Sequence, residues 1–296
     1  MAQSIIGLDI GTYSVKVATV SASFRNFQWT GYREYVIPHG ERDRPERSAA
    51  IGLEEVASSF GGVNPMVVTS ISGDRIMTRF VQLPFKERKR IDAILGFELE
   101  GQLPYSVEDF LYAYELMPTD ESTEGSDVFA AAVSRQYMGE QLNKLQTVGL
   151  DPRIVTLSSA AYMNLCQQIN PNGCVAIVDI GHHTTDICII NDGTLVQTRS
   201  VGRAGFSVTA TLAERLNLSF EEAEALKHSE GRLPGGESTD NAAIVDAAVE
   251  ALDPLVVALR MSLMAQRERT KTSVEKIIIT GGGSRLVNPR QWLEQQ

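Results

Sequence analysis

The sequence predicts an α/β protein built from two similar lobes. Its 296 residues are more than one ordinary hydrophobic core supports comfortably. Residues 4–20 and 174–190 both follow the plan strand, tight turn, strand, and Asp179 lies 170 residues after Asp9 at the same place in that plan. A unit repeated without a gap indicates an internal duplication.

Composition excludes several classes of protein. Apolar residues make up 43% and charged residues 22%, which is typical of a globular domain. With 27 basic and 37 acidic side chains the net charge is −10, so nucleic acid is not expected as a partner. There is neither a long apolar run nor a signal-peptide pattern at the N-terminus, which favours a cytoplasmic location. The three cysteines form no CxxC pair and are predicted to be buried thiols.

The segment between the two copies is predicted to be mixed α/β. A charged loop at 41–47 precedes a helix at 48–60 and strands at 66–71 and 76–83. Apolar residues recur at helical spacing within 86–103, and they are Ile91, Ile94, Leu95 and Leu99. The basic residues at 86–90 fit either a solvated helix face or a partner patch, and both readings stay open. A polar loop at 118–127, a strand at 127–134 and a helix at 134–150 follow.

After the second copy the pattern predicts a strand at 195–202 and helices at 205–217 and 219–228. Ser219 and the acidic residues behind it suit a helix N-terminus. A loop at 229–240 leads to a helix at 241–269, in which Pro254 is expected to start a new helix or cause a kink. A buried strand, 277–280, ends in three glycines.

Two turns and the glycines indicate nucleotide chemistry. An Asp that ends a buried strand, followed by Gly and hydroxyl residues, places a carboxylate and backbone N–H groups in one turn. Such a turn can hold a phosphate while the carboxylate orients a hydrated Mg²⁺. Two turns facing each other would grip a nucleotide, and three glycines let a flat ring lie against backbone. One such turn is a weak signal, but the three features together are a strong one.

These residues resemble a known family. The motifs DIGTYSVK (9–16), DIGHHTTD (179–186), AEALK (223–227) and TGGGSRL (280–286) resemble the actin-like ATPase superfamily. The stretch FVQLPFKERKRIDAILGFELEGQLPYSVEDF, with VGLDPRIV and LSFEEAEALK, is similar to PilM and to the cytoplasmic part of GspL, which are relatives of FtsA. The resemblance implies an actin-like, ribonuclease H-like duplicated bilobed α/β fold with an inserted subdomain of the FtsA/PilM type.

The resemblance also implies domain boundaries. Residues 1–83 form the core of the first lobe, with a return segment at about 149–173, and residues 84–148 form the inserted subdomain. Residues 174–283 form the second lobe, of which about 205–250 is a separate part. Residues 284–296 begin a C-terminal helix.

By the same resemblance, a set of residues binds ATP and Mg²⁺. Asp9 and Asp179 lie on the metal side, Glu224 and Lys227 contact ribose and adenine, and the adenine packs on Gly281–Gly283. The nucleotide-binding residues are Asp9, Gly11, Thr12, Ser14, Lys16, Asp179, Gly181, Glu224, Lys227, Gly281, Gly282 and Gly283.

Two departures from the family pattern argue for weak turnover or none. His182 and His183 fill the second turn, which is small and glycine-rich in hydrolysing relatives, and their imidazoles would either crowd a γ-phosphate or donate to it. Ser158 and Ser159 occupy the place where relatives carry an acidic or amide group that orients the attacking water. No catalytic residue is therefore assigned.

The resemblance implies a scaffold on the cytoplasmic side of the bacterial inner membrane. It would couple the secretion or assembly ATPase to platform proteins, through a PilN-like tail or a GspM-like partner. The chain ends at Gln296, soon after the adenine loop, which favours GspL over PilM. An active FtsA-like or other actin-like ATPase is the alternative.

Overall fold

The computed structural model describes residues 3–24, 26–38, 45–60, 65–117, 124–169, 172–235 and 241–296. The chain forms two compact units. The first comprises Met1–Ile10, Ser14–Val36 and Ala49–Ser158, and the second comprises Gly11–Tyr13, Ile37–Ser48 and Ser159–Gln296.

A five-stranded sheet forms the core of the first unit. Its strands are β1 (Gln3–Ile10), β2 (Ser14–Ala22), β3 (Phe27–Val36), β4 (Met66–Ile71) and β8 (Pro152–Leu157). They lie in the order β3-β2-β1-β4-β8. The first three strands pair antiparallel, and β4 runs parallel to both β1 and β8. Because side chains alternate between the two faces of a strand, Ile6, Leu8, Val15 and Val17 all point into the core.

A second sheet lies between β4 and β8 in the chain. Strands β5 (Ile76–Leu83), β6 (Phe110–Leu116) and β7 (Ser126–Ser134) pair antiparallel in the order β5-β7-β6. The helices that lie wholly or mostly in this unit are α1 (Pro45–Ser59), α2 (Arg88–Glu100) and α3 (Arg135–Thr147). Helix α2 buries Ile91, Leu95 and Leu99 in a cluster with residues of the sheet.

The helix predicted within 86–103 is confirmed, but Ile94, one of the four apolar residues at helical spacing, is not buried with the other three. Ile94 is 37% exposed, whereas Ile91 and Leu95 are fully buried. A helix turns by about 100° per residue, so Ile94 lies at the margin of the buried face and the stripe is narrower than expected. This leaves one side of α2 exposed.

The second unit contains a four-stranded sheet with the plan of the first. Strands β9 (Cys174–Ile180), β10 (Thr185–Asn191), β11 (Thr194–Val201) and β12 (Lys276–Thr280) lie in the order β11-β10-β9-β12. Strand β12 runs parallel to β9, as β4 does to β1, and the other two pairs are antiparallel. The helices are α4 (Ser158–Ile169), α5 (Gly205–Leu216), α6 (Phe220–Glu230), α7 (Ala242–Thr270) and α8 (Pro289–Glu294).

Pro254 lies inside α7 and does not start a new helix there. A proline removes one backbone hydrogen bond from a helix interior. Ala251, Leu252 and Leu255 are buried around it, and their packing offsets that loss. The helix therefore continues for 29 residues.

The cysteine prediction is confirmed. Cys166, Cys174 and Cys188 are free and buried. Burial raises the pKa of each thiol above its ordinary value, so all three are poor nucleophiles.

In the part of the chain that the structure describes, no helix combines the length and the apolar character needed to cross a bilayer.

Candidate functional site

The two copies of the strand–turn–strand unit have the same hairpin register. Asp9 of β1 lies opposite Lys16 of β2, and Asp179 of β9 lies opposite Asp186 of β10. Each aspartate therefore lies next to last on a strand that leads into the turn. The copies differ across the hairpin, where a cation faces the first aspartate and an acid faces the second.

In the first unit, carboxylates hold the predicted phosphate-binding side chains. Lys16 Nζ lies 3.2 Å from Asp9 Oδ2, with side chains 39% and 60% exposed. Ser14 is buried, and its hydroxyl donates to Glu34 Oε1 at 2.6 Å. Burial lowers the pKa of Lys16, but Asp9 and Glu34 outweigh that effect and raise it. Lys16 is therefore held in its charged form, beside the carboxylate predicted to face a metal.

Gly11 and Thr12 lie half-buried in the turn between β1 and β2. They are followed by Tyr13, whose carbonyl accepts from the Ile37 N–H at 2.9 Å. The Tyr13 ring stacks on His228 at 6.2 Å and meets His182 at 5.6 Å. The chain therefore places an aromatic ring directly beside the two predicted turn residues.

In the second unit, Asp179 is fixed from two sides. Tyr162 donates its hydroxyl hydrogen to Asp179 Oδ2 at 2.5 Å. A Cβ on Gly281 would overlap Asp179 Oδ1 and the Ile180 carbonyl, and Gly281 has a φ of 83°. Only glycine fits both the space and the backbone angle. Gly281 thus positions the Asp179 carboxylate.

The other two glycines of the triplet have different surroundings. A Cβ on Gly283 would overlap the Ile180 side chain, whereas one on Gly282 would meet nothing within 4 Å. Close packing on the Asp179–Ile180 backbone therefore accounts for Gly281 and Gly283. Gly282 is the member of the triplet that leaves open space. A short 3₁₀ turn, Gly282–Arg285, follows the strand, and the helix expected within 284–296 begins at Pro289.

The turn after β9 is tight and closed by its own backbone. The Gly181 N–H donates to the Thr184 carbonyl at 3.0 Å, and a Cβ on Gly181 would come within 2.8 Å of that oxygen. The Gly205 N–H donates to Gly181 O at 3.1 Å, and the Phe206 N–H donates to His182 O at 2.7 Å. Two amides at the start of α5 are thus used by the turn itself.

His182 and His183 belong to an aromatic cluster. Their rings lie 4.8 Å apart in an edge-to-face arrangement, and the His183 ring lies 4.4 Å from that of Phe206. Phe220 extends the cluster at 5.1 Å from Phe206. Both histidines lie in the turn between β9 and β10, as the sequence predicts.

Glu224 and Lys227 form a buried ion pair on α6. Glu224 is 2% exposed, and its Oε2 accepts from Lys227 Nζ at 2.6 Å and from the Thr209 hydroxyl. Lys227 Nζ also donates to Thr209 Oγ1 at 2.8 Å and to Gly205 O at 3.2 Å. Burial alone would raise the pKa of Glu224, but these hydrogen bonds and the Lys227 charge lower it to about 2. Both side chains are therefore charged.

The structure thus connects most of the predicted residues of the second unit. Lys227 bonds to Gly205, Gly205 bonds to the turn at Gly181, and Gly281 and Gly283 pack on Asp179 and Ile180. Asp9, Ser14 and Lys16 form a separate group in the first unit. Their roles toward a nucleotide stay predictions.

Sequence reasoning missed three side chains that hold this network: Tyr162, Thr209 and Phe206. Tyr162 lies within the segment in which only Ser158 and Ser159 were singled out. A buried threonine opposite a Glu–x–x–Lys pair leaves no local signal, so Thr209 was not predictable from spacing.

The duplicated sheets and their Asp-x-Gly turns define the class of protein. The structure is similar to MreB5 of Spiroplasma citri bound to ADP, with a TM-score of 0.55, 15% identity, and 99% of this chain and 89% of that chain covered. It is also similar to the MamK double helical filament, with a TM-score of 0.55 and 16% identity over 99% of this chain and 90% of that chain. The chain has the predicted actin-like fold.

The family follows from the sequence. The model of the type IV pilus assembly protein PilM matches residues 7–296, so the chain belongs to that family. A solved PilM–PilN type IV pilus biogenesis complex is similar with a TM-score of 0.81 and 23% identity, covering 98% of this chain and 85% of that chain. The predicted resemblance is confirmed, and the matching family is PilM, although the end of the chain favoured GspL.

Cell-division proteins are also related. FtsA of Agrobacterium fabrum is 30% identical over 134 residues, which are 38% of this chain and 30% of that protein. FtsA of Staphylococcus epidermidis is 24% identical over 253 residues, which are 76% of this chain and 54% of that protein. The chain thus spans between about a third and about half of the length of these curated relatives.

Proposed function

We propose that this protein is an actin-like scaffold of type IV pilus assembly on the cytoplasmic side of the bacterial inner membrane. It binds the short cytoplasmic tail of a PilN-like membrane protein and couples that protein to the assembly ATPase. The observation that carries the proposal is membership of the PilM family over residues 7–296. The similarity to the PilM–PilN complex over 98% of this chain supports a PilN-like partner.

The proposal includes binding of ATP with Mg²⁺ and slow or absent hydrolysis. Mg²⁺ is usually bound through one or two carboxylates together with substrate phosphates and water, and it neutralises phosphate charge. Within the described residues no three His, Cys, Asp or Glu side chains cluster as a metal site. Single carboxylates, Asp9 and Asp179, therefore fit a metal brought by the nucleotide better than a resident one.

Three features support weak turnover. Ser158 and Ser159 carry no carboxylate or amide to orient a water. The amides of Gly205 and Phe206 donate to carbonyls of the second turn. The rings of His182 and His183 fill that turn. The alternative is that this protein is itself an active ATPase of the FtsA type or another actin-like ATPase. Its sequence identity to FtsA favours that alternative.

The test is a titration of the purified chain with a fluorescent peptide of the PilN-like cytoplasmic tail, with and without ATP and Mg²⁺. A peptide of the same composition in scrambled order is the control. Saturable binding of the native peptide alone supports the scaffold. Equal binding of both peptides, or of neither, contradicts it.

A second measurement separates scaffold from enzyme. Phosphate release from ATP is followed under saturating Mg²⁺, and we expect no more than a slow background. Rapid release that disappears in Asp179→Asn would establish the ATPase alternative. A pull-down with the cytoplasmic assembly ATPase tests the coupling.

A further inference from the structure

Helix α2 has a charge order that opposes its own dipole. Its first turn carries Arg88, Lys89 and Arg90 and no acid, and its last turn carries Glu98 and Glu100 and no base. Helices are stabilised by acids at the N-terminus and by bases at the C-terminus. Glu87 precedes the helix as its N-cap, but within the helix the interaction with the dipole does not explain this order of charges.

The same helix exposes apolar side chains between its two charged ends. Ile91, Leu95 and Leu99 face the sheet, and the opposite side presents Phe97, which is 82% exposed, and Ile94. Phe97 and Ile94 thus form a small exposed apolar area between the two charged ends of the helix. We name Arg90, Ala93, Ile94, Phe97 and Glu98 the α2 face.

We propose that the α2 face pairs with the α2 face of a second copy of this chain, with the two helices antiparallel. A two-fold axis between Ile94 and Phe97 places Ile94 of each copy against Phe97 of the other. It also places Arg90 of each copy beside the acidic end of the other. Ala93, which is small, lets the helices approach closely.

Charge complementarity favours a second copy over other occupants. The chain carries a net charge of −10, so two copies repel unless opposite charges meet locally. When two α2 helices pair antiparallel, the basic end of each helix lies beside the acidic end of the other, so the attraction occurs twice. An anionic lipid surface would attract Arg90 but repel Glu98 and Glu100, which lie on either side of Phe97. An acidic peptide would likewise leave the acidic end of α2 unmatched.

Of the two acids at the end of α2, Glu98 is better suited than Glu100 to a charge-reversal experiment. The Glu100 carboxylate accepts a hydrogen bond from the Val107 N–H at 2.8 Å, so replacing it would disturb the following loop. Glu98 and Arg90 are both exposed, and within the described residues Arg90 forms a long ion pair with Glu87, at 3.9 Å. Substitution of either residue should therefore leave the fold intact, which circular dichroism verifies.

Sedimentation velocity of the full chain at 5–300 µM, roughly the range of weak specific dimers, tests the proposal. We expect the mass to rise from 32.4 kDa toward twice that value. Phe97→Ala, Arg90→Glu and Glu98→Arg should each weaken association at least about tenfold. Arg153→Glu, an exposed charge reversal on β8, is the matched control and should associate like the wild type.

The decisive measurement is sedimentation of an equimolar mixture of the Arg90→Glu and Glu98→Arg variants. Arg90→Glu and Glu98→Arg each place like charges together in their own pairs, but an antiparallel pair of one with the other restores both attractions. We expect the mixture to associate as strongly as the wild type. A wild-type chain that stays monomeric throughout overturns the proposal, as does a mixture that stays monomeric. Monomers that bind vesicles of phosphatidylglycerol in an Arg90-dependent manner would overturn it in favour of a membrane.

Discussion

Lys227 and Glu224 form a buried ion pair, with 2.6 Å between Nζ and Oε2. The side chains are 10% and 2% exposed, so neither charge is well solvated. Lys227 also donates to Gly205 and Thr209, which lie in the first two turns of α5. The pair thus locks α6 onto the start of α5, next to the second turn.

Replacing Glu224 by Gln should lower the free energy of unfolding at neutral pH by about 3 kcal/mol. The substitution leaves the buried Lys227 charge without its counter-charge. The pKa of Glu224 falls from 4.5 to about 2 on folding, which corresponds to a stabilisation of the same size, about 3 kcal/mol. Urea denaturation measures the difference.

The pH dependence of that difference has a definite sign. A carboxylate whose pKa is lowered by folding stabilises the protein above its unfolded pKa, and the stabilisation is lost as the pH falls from 4.5 toward 2. The difference in free energy of unfolding between the wild type and Glu224→Gln should therefore have its whole value at pH 6 and be clearly smaller at about pH 3. Glu221→Gln, on the same helix but exposed, should show no such gap. A gap that stays constant with pH would show that Glu224 does not act through its charge.

Replacing Gly281 by Ala should cost at least about 2 kcal/mol of stability. The residue has a φ of 83°, which costs about 1–2 kcal/mol for a residue with a Cβ, and the added carbon overlaps Asp179. Gly282→Ala is the matched control, because a Cβ there meets nothing within 4 Å and its φ is not in the left-handed region. Thermal denaturation of the two variants compares them. Equal melting temperatures would mean that Gly281 is not required for the turn.

The hairpins of the site were predictable from local pattern. The Asp-x-Gly turns of residues 9–11 and 179–181 follow short continuous apolar runs, and apolar residues alternate with polar ones after the first turn through Val15 and Val17. A short apolar run bounded by a tight turn favours a strand. Gly281 was predictable as a special glycine, though its reason is contact with Asp179 as well as any ligand. The two hairpins depend on neighbouring residues alone, whereas Gly281 also depends on its contact with the distant Asp179.

The rest of the network depends on contacts between distant residues. Tyr162 reaches Asp179 over 17 residues, and Thr209 reaches Glu224 over 15. No periodic pattern links such pairs, because the packing of whole helices and strands decides which side chains meet. Ile94 is a second example. Helical spacing alone does not predict whether a residue at the edge of the buried face of α2 is covered by the sheet.

Replacing Tyr162 by Phe should lower stability by about 1 kcal/mol and leave the fold unchanged. The variant loses only the hydroxyl that donates to Asp179 at 2.5 Å, and the net contribution of a typical hydrogen bond is about 0.5–1.5 kcal/mol. Tyr137→Phe is the control, because it keeps the ring that packs under Arg75. If both variants unfold at the same urea concentration, the Tyr162 hydroxyl does not stabilise Asp179.

Replacing Lys16 by Met tests the proposed nucleotide site in the first unit. Lys16 is charged and 39% exposed, so it can pair with a phosphate as well as with Asp9. We expect the affinity for a fluorescent ATP analogue with Mg²⁺ to fall at least about tenfold, which corresponds to about 1.4 kcal/mol. Stability should change little, because an exposed ion pair contributes at most about 1 kcal/mol.

The control for this experiment is Arg33→Met, which removes an exposed cation from the neighbouring part of the same sheet. A general loss of positive charge would weaken binding in both variants, whereas a phosphate contact at Lys16 weakens it in one. Because the two substitutions remove the same formal charge, their difference isolates the position of Lys16 from the overall field. Equal affinities for the wild type and Lys16→Met would place the nucleotide away from this turn, and the first Asp-x-Gly hairpin would then have only a structural role.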